Sequence, residues 1–146
     1  MFKKILVPTD GSTLAAQATT VAVRMAKSLN AQIVAVYVID PFPYIGIGDA
    51  SAVGLQAYLT EAKSAAGQAL DGVRKACEAD GVVFAAGDTI ERNVVYEGII
   101  ETAEAEGCDL IVMGSHGRQG VKALILGSVA QKVLTHAKAP VLIVKS

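Results

Sequence analysis

The sequence contains no tryptophan, its aromatic content is 5%, and neither sign of charge is in excess, with 13 Lys and Arg against 14 Asp and Glu. A net charge of −1 offers no basic field to nucleic acid or to an anionic membrane. Cysteine is scarce: Cys77 and Cys108 stand far apart, in no C-x-x-C or metal-ligand spacing. They read as buried or half-buried free thiols of a cytoplasmic protein. Long apolar runs are missing too, since no segment approaches the roughly 20 residues of a membrane span. The opening Met1-Phe2-Lys3-Lys4 and the following Ile5-Leu6-Val7 resemble the start of a signal peptide, but Pro8-Thr9-Asp10-Gly11 ends the apolar run too early. The expectation is a soluble, cytoplasmic protein with neither nucleic acid nor membrane as partner.

What is present is a chain of 146 residues, 52% hydrophobic, of a size suited to one domain with a substantial core. Short apolar stretches rich in branched residues predict buried strands at Ile5–Val7, Ile33–Ile39, Val82–Ala86, Leu110–Met113 and Val141–Val144. Helical spacing fills the gaps. Ala15, Ala18, Ala22, Met25, Ala26 and Leu29 form a stripe that Ser12 is placed to cap and Asn30 to end. Leu55 to Cys77 predicts the longest helix, ending near Gly81, with Gly67 and Gly72 inside it, each costing about 1 kcal/mol relative to alanine. Asp88–Arg92 reads as a connection, and Asn93 as the cap of a helix carrying Val95, Ile99, Ile100 and Ala103. A last helix runs from Ser128 to about Ala137. The stretch from Pro41 to Ala52, with two prolines and two glycines among Phe42, Tyr44, Ile45 and Ile47, reads as a lid, a contact surface or a tucked surface loop.

Strands alternating with helices predict one α/β unit over residues 1–146: a five-stranded parallel, doubly wound, Rossmann-like sheet in the order 3-2-1-4-5, with helices on both faces. In such sheets ligands sit at the switch point, outside the carboxyl ends of the strands. Here those ends are Thr9-Asp10 and Met113-Gly114. After the second of them come Gly114, Gly117, Gly120 and Gly127, then Ser128 opening a helix. Strand, glycine-rich loop and helix start make a sequence suited to phosphate. The backbone approaches closely, and the first amides of the helix lack intrahelical acceptors. The spacing is neither the P-loop nor G-x-G-x-x-G.

The pattern Gly114-x2-Gly117-x9-Gly127-Ser128, with the opening K-K-I-L-V-P-T-D-G-S and the closing A-P-V-L-I-V-K, resembles the universal stress protein family along the whole chain. Retention of both halves of the motif is similar to the family's ATP-binding subgroup. The resemblance implies a regulatory or stress-response module that binds ATP, with Mg2+ or Mn2+ carried mainly by phosphate oxygens and water. It implies that Asp10 meets the adenine or ribose edge, with Pro8 and Thr9 shaping that wall. Val38 would offer backbone groups and an apolar face to the base, and Met113 would pack nearby. Gly114 and Gly117 would let the loop pass ribose and phosphates, while Gly127, Ser128, Val129 and Ala130 would present amides to phosphate. It also implies a homodimer, for which Val141–Val144, an apolar strand at a sheet edge, supplies a physical reason.

Simpler roles stand beside these. Asp10 can serve as a helix cap, although Ser12 is available for that. Ser128 can cap its own helix and still meet phosphate. Met113 can be a core residue. His116 can touch phosphate or simply be solvated between its glycines, and Arg118 and Lys122 can neutralise phosphate or face water. No Ser/His/Asp set, dedicated metal cluster or general base can be named, so catalysis, if present, is at most a slow ATPase on the same fold. A scaffold with an unused pocket is the remaining reading.

Overall fold

The computed structural model describes residues 1–41, 52–117 and 126–145. Most of the Pro41–Ala52 stretch, Arg118 and Lys122 lie outside the described residues. In chain order the elements are β1 (Lys4–Pro8), α1 (Thr13–Leu29), β2 (Gln32–Ile39), α2 (Ala52–Ala79), β3 (Phe84–Glu91), α3 (Val95–Ala105), β4 (Leu110–Gly114), α4 (Ser128–His136) and β5 (Val141–Val144). All strand pairings are parallel, and the order β3-β2-β1-β4-β5 is the one predicted.

Alternate residues of the central strands supply the two halves of the core. Ile5, Val7, Ile33, Ala35 and Val112 point toward α1 and α2, where they meet Ala22, Val23, Val73 and Cys77. Leu6, Val34, Val36, Ile111 and Met113 point the other way, to Ile99 and Ala103 of α3 and Ala130 and Val133 of α4. Both faces are therefore covered, so the central strands show no polar alternation. The first helix begins as predicted: Ser12 is its N-cap, its hydroxyl accepts from the Ala15 amide at 3.2 Å, and Asn30 ends it in the left-handed region at φ 55°.

Three local expectations are corrected. The third strand starts later and runs much further than Val82–Ala86, and Asp88–Glu91, predicted as a connection, pairs with β2 through Val36↔Asp88 to Ile39↔Glu91. It is an edge strand with half-buried and exposed residues in strict alternation, and an irregularity between Ile33 and Val34 in its ladder disrupts the simple apolar run. Gly87 lies under the Phe84 ring, which a Cβ there would approach to 2.9 Å, so packing rather than a turn explains that glycine. Asn93 is not the cap of α3. That position belongs to Val94, which makes no side-chain cap bond. Ser128 is not a cap either: Gly127 holds the N-cap position of α4, and Ser128 is the first helical residue.

Candidate functional site

Strand β1 keeps its neighbour β2 along its whole length, from Lys4↔Gln32 to Pro8↔Val36, and the Thr9 amide extends the ladder to the Val36 carbonyl at 2.9 Å. Its pairing with β4 stops after Ile5↔Leu110 and Leu6↔Ile111. Beyond that point the two strands part, at the topological switch. The chain leaves β1 through Gly11 at φ 80°, a left-handed turn that glycine adopts without strain. The turn is held by the Ser12 amide donating to Asp10 Oδ1 at 2.9 Å and the Gly11 amide donating to Thr9 Oγ1 at 3.2 Å. Asp10 therefore has a turn-building role, while Ser12 caps the helix.

On the other side of the gap, β4 passes into Ser115. The Ser115 amide donates to the Val144 carbonyl at 2.9 Å, and its carbonyl accepts from the Gly127 amide at 2.7 Å. The second bond draws the start of α4 back against the end of β4. A Cβ at Gly127 would lie 3.0 Å from the Ser115 oxygen and 3.1 Å from His116 Cα. Both are backbone atoms that cannot step aside, so this approach requires glycine. Gly117 meets the opposite segment: a Cβ there would fall on Asp10 Oδ2. Residues 107 positions apart in the sequence are thereby in contact.

Between these segments lies a cavity of about 480 Å³, within the usual range for small-molecule sites. Twelve of the thirteen residues singled out from the sequence line it: Pro8, Thr9, Asp10, Val38, Met113, Gly114, His116, Gly117, Gly127, Ser128, Val129 and Ala130. The thirteenth, Arg118, lies outside the described residues. Ala15, Val36, Val95 and Ile99 also line the cavity and were not anticipated. Val36 and Ile99 are core residues as well, and their apolar character points to the core alone. No signal in the sequence separates a residue facing the core from one facing a cavity in it.

The cavity has two chemistries. Val36, Val38, Val95, Ile99 and Met113 give it an apolar wall, whereas Thr9, Asp10, His116 and Ser128 are polar. Gly98 lets α3 sit close behind that wall, since a Cβ there would come within 3.1 Å of both Val38 methyls. The first intrahelical bond of α4 is made by the Gln131 amide to the Gly127 carbonyl, at 3.0 Å. The amides of Ser128, Val129 and Ala130 precede it and have no intrahelical acceptor, so this end of the helix favours an anion.

Neither cysteine lines the cavity. Both are free thiols, and burial pushes each up to about 11, which suppresses the thiolate. Among the described residues no three His, Cys, Asp or Glu side chains converge as a metal site, and no helix is long and apolar enough to cross a membrane.

The sequence model of the universal stress protein family matches residues 1–145. The chain is 39% identical to universal stress protein MJ0531 of Methanocaldococcus jannaschii, over 99% of this chain and 83% of that protein. The solved structure of MJ0577, a universal stress protein of the same organism, superposes with a TM-score of 0.78 at 29% identity, covering 100% of this chain and 97% of that one. A more distant structure, the universal stress protein from Archaeoglobus fulgidus in complex with dAMP, shares the fold with a TM-score of 0.66 at 22% identity, over 99% of this chain and 98% of that one. With its five-stranded order, its cavity at the switch point and a match over nearly its full length, the chain belongs to the universal stress protein family.

Proposed function

We propose that this chain is a single nucleotide-binding unit that takes ATP into the cavity between β1 and β4 and works as a homodimeric regulatory module in the stress response. One observation carries the reading: an apolar wall and the open amides of a helix start face the same 480 Å³ space, the pairing of chemistries that a base joined to phosphates demands. The adenine lies along Val38 and Met113, with Asp10 at the adenine or ribose edge. Gly114 and Gly117 leave room for the loop to pass ribose and phosphate. The amides from Ser128 to Ala130 and the Ser128 hydroxyl take the phosphates, and Arg118 adds positive charge. A divalent cation, Mg2+ or Mn2+, travels with the triphosphate, held by phosphate oxygens and water. The dAMP held by the Archaeoglobus relative has the same combination of adenine and phosphate.

The dimer forms through β5. Among the described strands its one sheet neighbour is β4, and Leu142 is 37% exposed. The opposite edge, β3, carries an irregular ladder and the acids Asp88 and Glu91, devices that discourage strand pairing. Two β5 edges meeting antiparallel about a two-fold axis would cover the apolar one.

Mass spectrometry of ligand released from the denatured pure protein tests the site, together with calorimetric titration of stripped protein with ATP. An adenine nucleotide released in near-stoichiometric amount, or saturable ATP binding, is the expected result. Neither released nucleotide nor binding heat at about 1 mM ATP, where affinities worth only about 4 kcal/mol are still detected, overturns it. Sedimentation tests the assembly: the wild type runs as a dimer and Leu142→Asp as a monomer.

A further inference from the structure

Ser115 is the polar side chain buried nearest the cavity's histidine. It is 4% exposed, and its hydroxyl lies 3.2 Å from Nδ1 of His116, a residue that lines the cavity. No other hydrogen-bond partner of that hydroxyl occurs among the described residues. A serine hydroxyl is a donor as well as an acceptor. If Nδ1 carried the ring proton, the serine could only accept, and its own O–H would be left buried without an acceptor, an arrangement folded proteins avoid. With Nδ1 unprotonated, the hydroxyl donates to it and both groups are satisfied. The backbone of Ser115 holds the side chain in place for this, because its amide and carbonyl are tied to Val144 and Gly127.

We infer that Ser115 is a positioning residue for His116. Its hydroxyl donates to Nδ1, keeps the neutral imidazole in the Nε2–H tautomer, and so makes His116 a hydrogen-bond donor toward phosphate oxygens in the cavity. Phosphate oxygens accept and do not donate, so the opposite tautomer would present a lone pair to them. The part of this inference that concerns phosphate rests on the nucleotide reading. The tautomer itself does not, since the bond joins two residues of the chain itself.

The test is two-dimensional NMR of 15N-histidine-labelled protein without nucleotide, at about pH 8, above the ordinary imidazole range, combined with ATP titrations. In the wild type His116 is in the Nε2–H form. Ser115→Ala releases the ring to a tautomer mixture and weakens ATP binding by about three- to tenfold, the worth of one net hydrogen bond. Ser115→Thr keeps a hydroxyl and restores both properties, and in a His116→Ala background Ser115→Ala costs no further affinity. A wild-type ring in the Nδ1–H form overturns the inference. So does a tautomer ratio that Ser115→Ala leaves unmoved, or an affinity loss that is the same with and without the imidazole. Wild-type protein that binds no ATP sinks the nucleotide reading instead, and the ligand-free spectrum still decides the bond between Ser115 and His116.

Discussion

The two ends of the β1–β4 pair are built differently, and each has its own aspartate. At the amino end the strands are stitched together. Asp109 accepts from the Lys3 amide at 2.9 Å and from the Lys4 amide at 3.1 Å, its own amide returns a bond to the Lys4 carbonyl at 2.9 Å, and Lys4 Nζ reaches the Glu106 carbonyl at 3.0 Å. At the carboxyl end the strands separate, and Asp10 stands beside a cavity, braced by the Ser12 amide and backed by Gly117. A parallel sheet whose switch point is fastened at one end can leave a gap at the other without losing its register. The closed end supplies stability, and the open end supplies a place for a ligand.

The largest expected effect comes from filling the open end. Gly117→Val places carbon atoms on the Asp10 carboxylate, and ATP affinity should fall by about a hundredfold, twice the loss of a charged hydrogen bond's lower range. The thermal midpoint should hardly change, because Gly117 is exposed. Calorimetry and a melting curve check the two halves, and a variant that still binds ATP normally would remove Asp10 from the site. At the closed end the result should reverse. Asp109→Ala should cost about 2 kcal/mol of stability, the scale of hydrogen bonds to a charged group, and leave ATP affinity intact.

The closed end should also respond to pH. Burial pushes the Asp109 carboxyl up, but the amides of Lys3 and Lys4 more than offset it and hold it below the usual carboxylate range. Its contribution is therefore fully present above the unfolded-state value of about 3.9 and is lost as pH falls through the lower folded value. The stability gap between wild type and Asp109→Ala, measured by denaturant titration, should be widest near neutrality and close in acid. A gap that persists at low pH would mean that the packing of residue 109, not its charge, does the fastening.

Smaller effects sharpen the contrast. Ser12→Ala removes the bond to the Ala15 amide and should cost about 1 kcal/mol, without the loss of binding seen at Gly117. Gly67→Ala and Gly72→Ala lie far from both ends on α2. A Cβ at either position meets nothing within 4 Å, so each substitution should raise stability by about 0.5–1 kcal/mol. A decrease in the denaturation midpoint would show that α2 needs those glycines for a contact.

The open end was largely readable in the sequence because its parts are local signals. A short apolar strand followed by Pro8-Thr9-Asp10-Gly11-Ser12, and another followed by spaced glycines, each announce a turn at the end of a strand. The closed end left no such trace. Asp109 looks like any polar residue before a strand, and its partners are backbone amides more than a hundred residues away. The length of β3 was missed for a related reason. Gly87 and Asp88 are poor strand formers taken alone, and they are held in the sheet by pairing with Ala35 and Val36. Asn93 and Ser128 are residue types that favour cap positions, yet the backbone places Val94 and Gly127 there. Gly127 is needed where it is because Ser115 and His116 press against it.

Periodicity and turn chemistry, both properties of neighbouring residues, were enough to determine five strands alternating with helices and two loops able to meet an anionic ligand. Tertiary structure decided where β1 and β4 stop pairing, which apolar side chains border space instead of other side chains, and which aspartate fastens and which faces the gap. Those outcomes depend on contacts between segments distant in the chain. The energy of such contacts is set by the approach of the packed elements, which no local pattern of residues encodes.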